Sequence, residues 1–317
     1  MKKSADPETL CSLPEEEFFR QLPIIDAHHH FWRLGADLSY PWLEQEPWIS
    51  FRYGDYGRIR RNYLPSDYRT DAASHNIVAT VHMEAEVARG AGAEEIAWLQ
   101  SLGDDAPAAA IAQAWLDADN IAEQLNRLKT YGLVRAVRHK PAAMTRENAR
   151  RGANGSMDDP KWRDGYRLLN GHGLHFELQT PFWHLDAAAG LARDFPETRI
   201  ALNHCGLPAD RSPEGLEAWK TAMEHLAREP NVFVKLSGIG LGEDHWPIEA
   251  NMEIVQTAIR IFGADRSMFA SNFPVDKICV DMDTMWMSYK RTVQHFPRTE
   301  VLRLFSGTAR DLYKIEG

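Results

Sequence analysis

The chain holds only three cysteines, Cys11, Cys205 and Cys279, too few and too far apart for a disulfide framework or a zinc knuckle. No apolar run comes near the roughly 20 residues that span a bilayer. Met1-Lys2-Lys3 is basic, but a polar, acidic stretch follows where a secretory leader would carry its apolar core, so no signal peptide is expected. Positive charge is also in deficit. A total of 36 Lys and Arg against 45 Asp and Glu gives a net charge of −9, which offers no footprint for nucleic acid or an anionic membrane. The chain lacks an internal repeat, a low-complexity tract, a clear linker and a Gly-rich phosphate turn after its first strand candidate. These absences leave a cytoplasmic enzyme with a small-molecule substrate as the expectation. A homo-oligomer stays open.

What is present is enough apolar material, 44% of 317 residues, for one barrel-sized domain or two smaller ones. Short apolar strand candidates fall at 23–27, 77–83, 109–115, 133–138, 174–178, 199–203, 232–236 and 267–270. After the first, they start roughly 25 to 40 residues apart, the span of a strand–helix unit. Between them, Ile121, Leu125 and Leu128 recur at helical spacing, as do Leu216, Trp219 and Met223. The pattern predicts an α/β fold, a single (β/α)8 TIM barrel over 22–317 behind an N-terminal extension at 1–21. A doubly wound open sheet is the alternative, weakened by the missing phosphate turn. The first βα connection is long and aromatic, carrying Trp32, Tyr40, Trp42, Trp48, Phe51, Tyr53, Tyr56, Tyr63 and Tyr68. It reads equally as a lid over a site or as a loop packed on the barrel or at a subunit interface.

The first strand candidate runs into His28-His29-His30. On a strand, alternate side chains share a face, so His28 and His30 point together and His29 away. Two such imidazoles hold a divalent cation or grip a substrate. Other polar residues gather where further strands end, the rim that carries the active site in a barrel. His204 follows an apolar run and precedes Gly206, which permits a tight turn there. Arg135 and Arg138 alternate to opposite faces, and Arg138 is preferred for the site, to fork onto a carboxylate or a developing oxyanion. Glu84 is a base, a ligand, a hydroxyl acceptor or a buried partner for strand four. Gln179 orients substrate or bonds structurally. Trp32, Glu84, Arg138, His139, Gln179 and Asn272 are read as candidate substrate contacts, and His28, His30, His204 and Asp276 as candidate catalytic residues. Cys205 and Cys279 read as packing residues.

Five segments in order carry a resemblance: Ile25-Asp26-Ala27-His28-His29-His30-Phe31-Trp32, Val134-Arg135-Ala136-Val137-Arg138-His139, Ala201-Leu202-Asn203-His204-Cys205-Gly206-Leu207-Pro208, Val232-Phe233-Val234-Lys235-Leu236-Ser237-Gly238 and Met268-Phe269-Ala270-Ser271-Asn272-Phe273-Pro274-Val275-Asp276. Together they resemble the amidohydrolase superfamily, in the branch of sugar-acid lactonases and a pyrone-dicarboxylate lactonase. The resemblance implies that His28 and His30 match the strand-one His-x-His, and His204 the strand-six histidine. It also implies an aspartate on strand eight, where this chain has Asn272. An amide cannot take up that aspartate's proton near neutral pH. Asp276 replaces the lost carboxylate or else caps the following helix. The bridging strand-four lysine or glutamate of some relatives has no counterpart. The implied activity is water attack on the carbonyl of a small lactone, most of all a sugar-acid lactone. One divalent metal, zinc foremost, would be held by His28 and His30; catalysis without metal is equally compatible. The rivals are a metal-dependent decarboxylase of the same superfamily and a barrel that binds but no longer catalyses.

Overall fold

The computed structural model describes residues 6–146, 153–242 and 244–316. Its strands, in chain order, are β1 (Ile24–His29), β2 (Ile77–Met83), β3 (Ala109–Gln113), β4 (Val134–Arg138), β5 (His175–Leu178), β6 (Ile200–Leu202), β7 (Val232–Leu236) and β8 (Ser267–Phe269). Each pairs in parallel with its sequence neighbour, giving the order β1 to β8. Parallel neighbours require crossover connections, and helices such as Ile121–Lys129 and Pro213–Leu226 supply them. The ring is closed just past the end of β8. There Asn272 N donates to His28 O at 2.7 Å, and His30 N donates to Phe273 O at 2.7 Å. This is the (β/α)8 barrel expected from the strand spacing.

The helices follow their apolar spacing. Ile121, Leu125 and Leu128 are buried along Ile121–Lys129. In Pro213–Leu226, proline opens the first turn, Ser212 caps it by accepting from Gly215 N, and Trp219, Met223 and Leu226 are buried. No helix among the described residues is long and apolar enough to cross a membrane. Short helices at Pro7–Ser12 and Glu15–Gln21 precede the barrel, with Leu10 and Phe18 buried. Arg298 ties this extension down by donating to Cys11 O at 2.8 Å.

Inside the barrel, Ile25, Ala27, Val81, Met83, Ile111, Ala136, Met268 and Ala270 form one apolar cluster, joined by Leu312, Tyr313 and Ile315 from the chain's end. Strand alternation carries this inward face up to the rim: Ala136 leads to Arg138, and Ala270 to Asn272. On β1 the same rule would bring His29 inward after Ile25 and Ala27. The register shows why it does not. Asp26 pairs with Thr80 and His29 with His82, so β1 has one more residue than β2 across that interval. Such a bulge reverses the phase of the strand. It turns His28 and His30 toward the barrel axis and His29 outward against Phe31, Tyr68 and His82, with ring centroids 4.4, 5.0 and 5.9 Å away. The Asp26 carboxylate holds the bulge. It accepts from His28 N at 3.3 Å, Ser271 N at 2.8 Å, Ser271 Oγ at 2.5 Å and Tyr68 Oη at 2.7 Å.

Candidate active site

At the C-terminal ends of the strands lies a cavity of about 230 Å³. His30, Arg138, Gln179, His204 and Asn272 line it from the barrel, and Trp42, Phe51 and Arg52 from the long first loop. The loop therefore supplies part of the wall. Trp42 and Phe51 stack at 5.7 Å with their planes 17° apart, and Trp42 Nε1 donates to Ala85 O at 2.9 Å. Three rim residues, Glu86, His204 and Asn272, hold left-handed φ values of 57°, 57° and 56°. Non-glycine residues pay for that conformation only where surroundings enforce it, and such residues cluster at functional sites.

His30 is fixed at one nitrogen and open at the other. Nδ1 lies 2.9 Å from the Met83 carbonyl, which can only accept, so Nδ1 carries the proton. Nε2 is then a lone pair, 3.4 Å from Asn272 Oδ1. Asn272 in turn donates from Nδ2 to Asp276 Oδ1 at 2.7 Å. Asp276 is fully buried and also accepts from Tyr53 Oη at 2.9 Å and from Gly238 N at 3.1 Å. Burial pushes its carboxyl up to about 6. An imidazole, an amide and a carboxylate thus stand in series behind the cavity wall.

His204 approaches Ser237 Oγ through Nδ1 at 3.0 Å. Its ring lies on Gly238, where a Cβ would come within 2.3 Å of Nδ1, so only glycine fits. His28 sits in contact with both other rings, 5.1 Å from His30 and 4.7 Å from His204 between centroids. Burial first, and then neighbouring positive groups, hold His28, His30 and His204 well below the usual histidine range, so all three are neutral. Arg138 donates from Nε to Glu84 Oε1 at 2.5 Å, from Nη2 to Glu84 O at 2.9 Å and from Nη1 to Gln179 Oε1 at 3.1 Å. A guanidinium has further N–H groups, and Arg138 lines the cavity. Arg135 stays at the other end of β4, bound to Tyr313 O at 2.7 Å.

Several expected contacts stand elsewhere. His28 is fully buried and not part of the cavity wall; both ring nitrogens lack a partner. Glu84 faces Arg138 instead, because β4's inward arginine claims its carboxylate. Trp32 is buried under the loop, donating to Arg61 O at 2.7 Å, and Trp42 takes the position at the wall. His139 accepts from Leu116 N at 3.1 Å and lines an adjoining cavity. Asp276 reaches the site only through Asn272. It does not cap the next helix, which Asp281 caps by accepting from Thr284 N at 2.8 Å. Arg52 was not singled out by the sequence; its only signal is a lone cation between Phe51 and Tyr53 in the aromatic loop.

The two unpartnered nitrogens of His28, with the His30 and His204 rings in contact with it, favour a cation. A zinc site normally takes three or more protein ligands. Among the described residues no group of three or more His, Cys, Asp or Glu is placed to hold a metal ion. Strand eight offers an amide, Asn272, where a carboxylate ligand is expected, while the Met83 carbonyl on His30 Nδ1 leaves Nε2 free to bind. His28 and His30 are the residues that would hold the expected divalent metal, and no third ligand is grouped with them among the described residues.

The amidohydrolase family model matches residues 25–315, and the chain belongs to that family. A protein of uncharacterised function from Sinorhizobium fredii is 35% identical over 301 residues, covering 93% of this chain and 99% of its own. An L-fucono-1,5-lactonase of Burkholderia multivorans is 28% identical over 310 residues, covering 92% of this chain and 96% of its own. A crystal structure of a Burkholderia multivorans amidohydrolase with bound zinc superposes with a TM-score of 0.74 at 25% identity, over 92% of this chain and 99% of that one. The family and the lactonase-named relative support a hydrolase.

Proposed function

We propose that the chain opens a small lactone, of the sugar-acid class, by adding water to the ring carbonyl. The observation that carries this reading is His30, with Nδ1 held by the Met83 carbonyl and Nε2 left as a base backed by Asn272 and Asp276. Water attacks the carbonyl carbon and gives its proton to His30 Nε2. The imidazolium then donates to Asn272 Oδ1, and the Asp276 charge polarises that amide from behind. The oxyanion is met by the free N–H groups of Arg138. The ring C–O bond breaks, and His30 returns the proton to the departing oxygen, leaving the hydroxy acid. Gln179 fixes the Arg138 guanidinium in plane and offers its amide to a ring hydroxyl. A cavity of about 230 Å³ suits one monocyclic ring and lies at the small end of ligand pockets. The decarboxylase alternative is disfavoured by Asn272, which removes the carboxylate that chemistry needs on strand eight.

The test is ring opening of a lactone panel that includes L-fucono-1,5-lactone, followed by acid release. Turnover of at least one sugar lactone, lost in His30→Gln, is expected. No lactone opened above its uncatalysed rate would overturn the reading.

A further inference from the structure

Beyond Arg52 the rim holds a second cavity, also of about 230 Å³, with Arg52 and Arg211 both in its wall. It is built by loops after β5, β6 and β7: Trp183, Leu207 and Leu241 give it an apolar face. Neither guanidinium has an ion-pair partner among the described residues, whereas Arg138 and Lys140 at the first cavity are paired with Glu84 and Glu86. Among the described residues Arg52 donates only to Tyr53 Oη, at 2.8 Å. Arg211 donates from Nη2 to Ile239 O at 2.7 Å and to Asn251 Oδ1 at 3.4 Å. Its Nε and Nη1 are buried with no partner. Buried charged donors without acceptors are costly, and those of Arg211, with the exposed Arg52 in the same cavity wall, match the fork of a carboxylate. Among the described residues no acidic side chain lines this cavity.

We infer that this second cavity is an anion subsite, in which Arg52 and Arg211 bind the carboxylate of a ligand whose apolar or cyclic body lies against Trp183. Because Arg52 borders both cavities, the ligand is a carboxylate-bearing extension of the molecule that reacts beside His30. That last step rests on the lactone reading; the binding itself does not.

The probe is 3-phenylpropanoate, compared with the uncharged 3-phenylpropanamide, by titration calorimetry on the full chain. The carboxylate is expected to bind the parent protein and to lose tenfold or more in affinity in Arg211→Met and in Arg52→Met. The amide is expected to bind weakly and equally to all three. Arg211→Lys keeps the charge but not the fork, and should fall between parent and Arg211→Met; it serves if Arg211→Met does not fold by circular dichroism. Equal affinity for carboxylate and amide, or a carboxylate affinity untouched by the Arg211 variants, would overturn the subsite. Since neither probe has a bond to hydrolyse, intact carboxylate binding in a protein that opens no lactone would break the functional reading alone.

Discussion

Two buried carboxylate–cation pairs stand on the inward faces of this barrel, and they are put to different uses. Glu177 on β5 meets Lys235 on β7 at 2.9 Å, and its remaining acceptor capacity is filled by Asn203 Nδ2 at 2.6 Å and the Tyr313 hydroxyl. Both side chains are fully buried and line none of the rim cavities described above. Glu84 meets Arg138 at 2.5 Å near the rim, but Arg138 borders a cavity with donors to spare. The lower pair joins the end of the chain to the strands; the upper pair aims a charge at open space. Burial and pairing are therefore shared by both. What separates chemistry from scaffolding is a donor without a partner next to room for a ligand.

The sharpest way to break this contrast is Lys235→Met, which leaves the Glu177 carboxyl buried without its cation. Removing one partner of such a pair costs about 3–5 kcal/mol. Urea unfolding should show that loss, and the double variant Glu177→Gln with Lys235→Met should recover most of it. An unchanged midpoint for Lys235→Met would remove the structural role given to the lower pair.

At the upper pair the large effect is expected in turnover. Arg138→Met should lower kcat by about 10²- to 10³-fold, the usual cost of losing an oxyanion donor. Its stability loss should be smaller than that of Lys235→Met, because Glu84 lines a cavity that water can enter, whereas Glu177 lines none of those described. If Arg138→Met unfolds the protein as readily as Lys235→Met while sparing kcat, the two pairs are alike and the contrast fails.

The same contrast marks what could be read in advance. The strands were legible because a barrel repeats one apolar unit at a regular interval; β2 and β7 match their expected bounds, and the other strands lie inside theirs or within two residues of them. The pairing of His28 with His30 was legible from local alternation, but its phase was not. Ile25 and Ala27 point His29 inward, and only the bulge, held by Asp26 through Ser271 and Tyr68 from distant segments, reverses that. Asp276 was legible as a carboxylate near the site and not as one set behind Asn272. The tight turn at Val275–Ile278 decides that, together with the Gly238 amide it draws in. Arg52 and Trp42 reach the cavity through the fold of a loop, which no periodicity encodes.

Gly238 sharpens the comparison on a smaller scale. An alanine Cβ there would lie 2.3 Å from His204 Nδ1 at a residue with φ of +62°. Overpacking of this kind costs about 1–3 kcal/mol. Gly238→Ala should displace the His204 ring and weaken the Asp276 anchor, lowering kcat by about tenfold with a modest fall in the unfolding midpoint. Parent-like kcat would show that the position of His204 is not critical to the reaction.

The smallest expected effect tests the Asp276 relay through its pH dependence. Asp276 is an acid raised by burial from 3.8 to about 6, so it is ionised above that value and neutral below it. If its charge supports the proton on His30 through Asn272, kcat falls as pH drops through about 6. Asp276→Asn removes the titrating group, so that limb should vanish, with a plateau lower by about tenfold, or roughly 1.4 kcal/mol. Stability runs the other way. Between 3.8 and about 6 the folded protein binds more protons than the unfolded chain, so this group lowers stability as pH rises across that window, and the cost is fully present above it. Asp276→Asn should therefore flatten that part of the stability curve while it flattens the acid limb of kcat. A variant that keeps the acid limb would assign it to another group and return Asp276 to a purely structural part, fixing Tyr53, Asn272 and Gly238 in place.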